Sequence, residues 1–323
     1  MSAIIRSTVV DVDLEAIEHN TRAVRARAGV EVIAVVKADG YGHGAEAVAG
    51  AAVEAGASGL AVATVEEAVV LRRTRPRDPL LVLLGAQEQA ERDAAVALDL
   101  AVTVWDVDAA RGMAEAARAA GKTAALQFKV DTGLTRLGAP PAEAPDRYRA
   151  IVALPGVRVD GVFTHLARAD ETDLATTAGQ LDRFDAFLDA IDPPRWVHAS
   201  ASGGVASLPT RARMTAVRVG LAIYGLHAAP HLAGRLDLRP ALSWRSRVHR
   251  VADVPRGTGV SYGHEYRLPH DGRIATVPVG YGDGLSRASK QASLLLGGAA
   301  VRIAGRVAMD HVMLDVTGLG EVK

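Results

Sequence analysis

The strongest constraint in this chain is a rhythm. Eight short apolar runs follow one another, at Val32–Val36, Leu60–Ala63, Leu80–Leu84, Ala101–Val104, Ala124–Val130, Val159–Phe163, Trp196–Ala199 and Val217–Tyr224. Alanine-rich stretches with helical spacing separate most of them, among them Ala45–Ala55, Glu66–Arg72, Ala109–Ala119 and Thr176–Ala190. The link between the last two runs is the weakest, with only Gly203–Leu208 as a short helix. A continuous apolar run fits a strand buried on both faces, and such strands pair in parallel with a helix crossing over between neighbours. Eight of them predict a (β/α)₈ barrel, with an open doubly wound sheet as the alternative. Ahead of the first run, Leu14, Ile17, Thr21 and Val24 share one face of a helix that Gly29 ends. The lead-in Val9-Val10-Asp11-Val12-Asp13 reads as a strand that belongs elsewhere.

After Gly225 the helical spacing stops. Trp244–Val251, Arg273–Val279, Ser293–Leu296 and Val312–Val316 alternate apolar with polar or charged residues, and Gly, Pro and Asp break them up. This predicts a mostly antiparallel β domain. The expected division is a barrel over 1–229 and a β domain over 230–323, with residues 1–12 available to pair with the second domain.

Composition narrows the function classes. Lys+Arg and Asp+Glu balance at 37 each, which speaks against a nucleic-acid or anionic-membrane partner. There is no cysteine, so thiolate catalysis, thiolate metal sites and disulfides are excluded. No metal is expected. The start, Met1-Ser2-Ala3-Ile4-Ile5-Arg6, lacks the apolar core of a signal peptide, and no run approaches a membrane span. A cytoplasmic location is expected.

In a barrel, chemistry gathers where the strands end. Lys37 ends the first run; Lys129 and Asp131 end the fifth; His165 ends the sixth; Ser200 and Ser202 follow the seventh; Arg218 and Gly220 lie on the eighth. Taken singly, each is more often a packing or surface residue than a functional one. Together they put cations, an imidazole and hydroxyls on one face, a donor set suited to a phosphate and a carboxylate. Lys37 also opens a loop in which Gly40, Gly42 and Gly44 alternate with Tyr41 and His43 before a helix at about Ala45. Such a loop and helix start offer backbone N–H groups to an anion.

The segment Ala34-Val35-Val36-Lys37-Ala38-Asp39-Gly40-Tyr41-Gly42-His43-Gly44 resembles the signature of the pyridoxal-phosphate (PLP)-dependent alanine racemases of bacterial type. In that family the lysine carries PLP as a Schiff base, and the resemblance makes Tyr41 a cofactor contact. Lys129-Val130-Asp131-Thr132-Gly133-Leu134-Thr135-Arg136-Leu137-Gly138 is similar to the family's second block. It implies a carbamylated Lys129 that holds Arg136, and an Arg136 that touches both the cofactor and the substrate carboxylate. Phe163-Thr164-His165 resembles the block whose histidine packs on the cofactor ring. Arg218 to Gly225 resembles the block whose arginine bonds the pyridine nitrogen, with Ser202 and the Gly220 and Leu221 amides at the phosphate. Val260-Ser261-Tyr262-Gly263 is similar to the catalytic tyrosine motif. Gly280-Tyr281-Gly282-Asp283-Gly284 matches the substrate-access segment, and Gly305 to Asp310 the loop that closes over the substrate carboxylate with Met309, supported by Asp310.

The resemblance covers almost the whole chain. It implies an alanine racemase that interconverts L- and D-alanine for peptidoglycan, with Lys37 and Tyr262 as opposed bases. It also implies a homodimer whose sites are shared, because Tyr262 and Met309 would reach the site of the other subunit. Three positions depart from the family pattern. Ala201 stands where asparagine usually precedes the phosphate-binding serine. Val219 replaces a common proline. The chain stops at Lys323, where relatives continue and supply a tyrosine to the PLP phosphate, so a shortened β domain is expected. The alternatives are a racemase of broader range that takes serine or lysine, a fold-related PLP decarboxylase, and a non-catalytic PLP-carrier barrel. Arg218 and the lack of cysteine oppose the decarboxylase; Tyr262 and Met309 oppose the carrier.

Overall fold

A computed structural model describes residues 6–209 and 214–322. The remaining residues, including 1–5 of the segment expected to pair with the second domain, lie outside the described residues. The chain divides into two compact units, one over 12–241 and one from 242 onward together with the N-terminal segment through Asp11.

The first unit is a closed barrel of eight parallel strands in sequence order, and the open-sheet alternative is discarded. The strands are Glu31–Val35, Gly59–Val62, Leu80–Val82, Ala101–Val104, Ala124–Lys129, Val157–Phe163, Trp196–His198 and Ala216–Val219. Closure comes from the first strand pairing with the last, Ala34 beside Val219, where a proline would have given up its N–H. Ile33, Val35, Ala61, Leu81, Trp196 and Ala216 form a buried cluster of their own. The Trp196 ring fits there only because residue 59 is glycine; a Cβ would stand 2.6 Å from the indole. A larger cluster packs strands such as that carrying Leu126 and Phe128 against helices such as Val107–Ala119 and Ala175–Asp189. The leading helix Leu14–Ala28 is capped by the Asp13 side chain, which accepts from the Ala16 amide, and ends on Gly29 at φ 67°.

Two local expectations are corrected. The last run is not one strand to Tyr224. The ladder stops at Val219, and Leu221–Tyr224 form a 3₁₀ turn whose Ile223 amide donates back to the Gly220 carbonyl at 2.9 Å. Nor is the glycine-rich stretch after Lys37 an open loop. Ala38, Asp39, Gly40 and Tyr41 all have left-handed backbone angles, with φ of 51°, 51°, 62° and 55°. Left-handed geometry costs a non-glycine residue roughly 1–2 kcal/mol. Three hydrogen bonds hold the turn: Ala38 N–H to Glu67 Oε1 at 2.7 Å, Gly40 N–H to Val36 O at 2.9 Å, and Ala45 N–H to Asp39 Oδ1 at 2.8 Å. The helix then starts at Ala45, as expected.

The second unit is built of short antiparallel pairs. Arg250–Val254, Gly272–Val277 and Val312–Asp315 form a three-stranded sheet with the middle one central. Ser293–Leu296 pairs with Ala299–Arg302, and Gly259–Val260 with Tyr266–Arg267. The N-terminal strand Val9–Val12 pairs with Leu242–Arg245. The predicted run Trp244–Val251 is therefore two strands, because its halves serve different neighbours: the N-terminal segment on one side, Gly272–Val277 on the other. Ala275, Val277, Val301, Val307, Val312 and Leu314 make this unit's core. Among the described residues, no helix is long and apolar enough to cross a membrane.

Candidate active site

A cavity of about 420 Å³ opens at the C-terminal end of the barrel strands. It is lined by Lys37, Tyr41, Lys129, Arg136, His165, Ser202, Arg218, Gly220 and Leu221, whereas Asp131 and Ser200, also expected at the strand ends, are not in the lining. Asp170 is the one acidic side chain in the lining, against four cationic ones. The strand ends place Lys129, Arg218 and, one residue beyond Val36, Lys37. The loop after Lys129 is shaped by Asp131, whose Oδ1 accepts from the Gly133, Leu134 and Thr135 amides and whose Oδ2 accepts from Arg136 N–H at 3.1 Å. Burial raises the pKa of that carboxylate, but the four amides outweigh it and the net shift is downward. Asp131 thus aims the Arg136 loop without lining the cavity.

Arg218 is buried at 4 % exposure and is the hub of the interior. It donates to His198 Nδ1 at 2.6 Å, to His165 Nδ1 at 2.7 Å and to the Thr164 carbonyl at 3.2 Å. A guanidinium has no acceptor, so both histidines must present a bare Nδ1 and carry their proton on Nε2. His198 Nε2 then donates to Gln127 Oε1 at 2.8 Å. Phe163 packs in the same layer, stacked on His198 at 4.8 Å and under the Arg218 guanidinium at 4.8 Å. His198 and Gln127 are functional candidates that sequence reasoning missed. His198 ends an apolar triplet, and nothing in its neighbourhood distinguishes it from a core histidine.

Burial first, and crowding of positive charge second, set the titration of the cavity. Burial, then Arg218 and Arg136, push the Lys129 amine down to about 8, with Asp131 opposing. Burial and the same cations, with Lys129 and Lys37, push His165 down to about 3. His198 is lowered well below the usual 6.5 by burial and by Arg218. Even Arg218 falls to about 10, chiefly from burial, and stays charged at neutral pH.

These shifts predict an acid-labile fold. Both histidines bind a proton more readily in the unfolded chain than in the folded one. Below about pH 6.5 the unfolded state takes up protons that the folded state refuses, so stability falls as pH falls, by up to about 1.4 kcal/mol per pH unit for each histidine. The urea midpoint should drop between about pH 7 and about pH 5, and the slope should be shallower in His198→Gln, whose amide can still hydrogen-bond but cannot titrate. Equal slopes would refute the assignment.

The other expected site residues belong to the second unit. Tyr262 and Met309 are exposed at 70 % and 60 %, and Tyr281 at 38 %. Tyr262 follows Ser261, whose φ is 62° and whose hydroxyl donates to the Arg306 carbonyl at 2.7 Å. Tyr281 N–H donates to Ala308 O at 2.9 Å, and Gly282 N–H to Met309 O at 2.8 Å. The three segments are therefore laced together within that unit. Asp310 pairs with His311. His227 and His231 stand four residues apart, and no group of three metal-ligating side chains is found among the described residues.

Comparison with known proteins decides the family. The model for the alanine racemase N-terminal domain matches residues 12–228, and that for the alanine racemase C-terminal domain matches residues 241–323. The chain belongs to the alanine racemase family. An alanine racemase of Symbiobacterium thermophilum is 41% identical over 318 residues, covering 97% of this chain and 84% of the relative. One from Desulforamulus reducens is 38% identical over 322 residues, covering 97% and 86%. Among solved structures, the alanine racemase of Streptomyces lavendulae superposes with a TM-score of 0.92 at 38% identity, covering 99% of this chain and 86% of that one. The Bacillus anthracis alanine racemase with bound L-Ala-P superposes at 0.87 with 34% identity, covering 100% and 84%. The expected barrel followed by antiparallel sheets is the architecture found, and the alanine racemase family is a PLP-dependent one.

Proposed function

We propose that this chain is an alanine racemase that holds PLP in the barrel cavity and interconverts L- and D-alanine. The observation that carries this is the cavity itself: the Lys37 amine opens into the same space as a buried arginine that can only donate. The residues fit PLP on three counts. The volume lies in the range of small-molecule sites. Four cations against one carboxylate suit a phosphate and a substrate carboxylate. Gly220 leaves a cradle that a side chain would fill, since a Cβ would stand 2.4 Å from the Tyr41 hydroxyl.

In this reading Lys37 anchors the cofactor, while Tyr41, Ser202 and the Gly220 and Leu221 amides hold its phosphate. Arg218 bonds the ring nitrogen and His165 packs on the ring. When bound, PLP draws electrons from the Cα–H bond of the substrate and so lowers the barrier to proton loss. Lys37 moves the proton on one face of the substrate carbon, the D-enantiomer's. Tyr262 moves it on the opposite face, the L-enantiomer's. Arg218, which never gives up its own proton, would hold the ring nitrogen as a donor and could not protonate it, which would favour rapid return of the proton over side reactions. Arg136 and Met309 bind the substrate carboxylate, and Tyr281 narrows the approach. Lys129 suits carbamylation, because an amine lowered to about 8 is partly neutral at physiological pH and a carbamate would place an anion among cations. Asp310 supports the Met309 loop.

Tyr262 is proposed to act in the site of a second copy of the chain, which makes the working form a homodimer with shared sites. Residence in the cytoplasm and supply of D-alanine for peptidoglycan belong to the same proposal, as does the barrel-plus-β-domain division near residue 230. The serine or lysine racemase and the PLP-carrier readings are not favoured, since the relatives compared above carry alanine racemase names throughout.

Circular dichroism of the purified protein tests the proposal. With L-alanine the signal should decay to zero, much faster than with L-serine or L-lysine. Borohydride should bleach a visible chromophore and fix added mass on Lys37. A protein that carries the reducible chromophore and leaves L-alanine unchanged would refute the reading.

A further inference from the structure

The first described residue of the chain makes a bond across almost its full length. Arg6 donates through Nη1 to Asp283 Oδ1 at 2.5 Å and through Nη2 to Asp283 Oδ2 at 2.9 Å. Its Nη2 also donates to the Pro278 carbonyl at 3.1 Å. Thr8, two residues on, adds a hydroxyl donated to the same carbonyl at 2.8 Å. The N-terminal segment thus grips both ends of the turn that presents Tyr281.

Asp283 has a second task. Its Oδ2 accepts from the Gly280 amide at 3.0 Å, so one carboxylate closes the turn and receives the arginine. The pairing lowers its pKa, with the Arg6 hydrogen bond the largest cause, and keeps it an acceptor. The turn in turn docks on the Met309 loop with no slack. A Cβ at Gly280 would stand 2.3 Å from Ala308 O, and one at Gly282 would stand 3.0 Å from Met309 O. The Tyr281 and Gly282 amides bond those same two carbonyls. Bidentate arginine–carboxylate geometry fixes orientation as well as distance, which a lone lysine would not do.

We infer that Arg6 is a positioning residue for the substrate pocket, acting through Asp283 to hold Tyr281 and Met309 in register. The inference rests on the proposed roles of those two side chains. Arg6 touches neither substrate nor cofactor. It sets how rigidly the access side chains are presented, and so how well the amino-acid substrate is gripped.

The test combines hydrogen exchange, which needs no activity, with racemase kinetics on the holoenzyme. In Arg6→Ala, the Tyr281 and Gly282 amides should exchange about five-fold faster, a factor in keeping with the loss of one well-formed exposed pair. Peptides from the central sheet of the same unit should be unchanged. KM for alanine should rise by a similar factor while kcat changes less. Arg6→Lys, which keeps the charge but not the fork, should fall between the two. Should Arg6→Ala fail to fold, Arg6→Lys alone must show the faster exchange and raised KM. Unchanged exchange at 281 and 282 overturns the inference, whatever the melting temperature does. Faster exchange with unchanged KM overturns it too. A wild-type protein without racemase activity would sink the proposed function, while the exchange rates at 281 and 282 would still show whether Arg6 holds the turn.

Discussion

Replacing Lys37 with alanine is expected to lower racemisation by at least about 10⁴-fold, because the proposed function makes one group both cofactor anchor and base. The more telling result comes from mixing. Tyr262→Phe should also be nearly inactive. In an exchanged mixture of the two variants, half of the proposed dimers carry one chain of each kind. One of their two sites then combines an intact Lys37 with an intact Tyr262. Activity should return to about a quarter of the wild-type value. Unmixed variants, or a mixture prevented from exchanging, should show none of it. No recovery under conditions where exchange is verified by mass would mean that each site is completed by its own chain. Tyr262 is 70 % exposed, as a phenol that serves the site of a second chain would be.

The second large effect is expected at Arg218. Glutamate there reverses the logic of the buried network. The Nδ1 atoms of His165 and His198 now accept from the guanidinium. Facing a carboxylate, they must become donors, and both imidazoles should titrate near or above their ordinary range. Racemisation should fall by about 100-fold or more, the scale of losing one preorganised donor at a reacting group. Transamination to pyruvate should rise, with a red-shifted absorbance during turnover, because an acid beside the ring nitrogen can keep a proton there. An Arg218→Glu protein that forms no more pyruvate than wild type, with the histidine titrations unmoved, would show that the arginine serves packing alone. Its place above the Phe163 ring and against two histidines would then need another explanation.

The barrel was legible because its signal is local and repeated. Each apolar run announces a buried strand, and eight of them leave few ways to close. The site was legible in part. Lys37, Lys129 and His165 stand where their apolar runs end, and their convergence proposed them; Arg218 sits near the start of the expected last run, and only the strand's early stop at Val219 brings it to the rim. What could not be read was whatever depends on distant partners. His198 becomes meaningful only when Arg218, twenty positions later, and Gln127, seventy-one earlier, fold onto it. Arg6 and Asp283 are 277 residues apart. Such pairs leave no periodicity. The left-handed turn was not visible. Alternating glycines signalled a loop, but its left-handed backbone runs through Ala38, Asp39 and Tyr41 as well, held by Glu67 from another helix. The split of Trp244–Val251 was hidden for a similar reason, since its two halves look alike until their neighbours are known.

One consequence of the buried network concerns where hydrogen can come from. On the proposed placement of the cofactor, the layer of Arg218 and His198 beneath it offers no path for a proton. Arg218 has no lone pair to take one, and His198 has both nitrogens committed, one receiving from the guanidinium and the other giving to Gln127. In the proposed reaction, hydrogen that enters or leaves the substrate carbon would therefore pass through groups on the open side of the cavity. Deuterium from the solvent should reach alanine only at the rate those groups wash out, and the depth of the barrel, however polar, should contribute nothing to it.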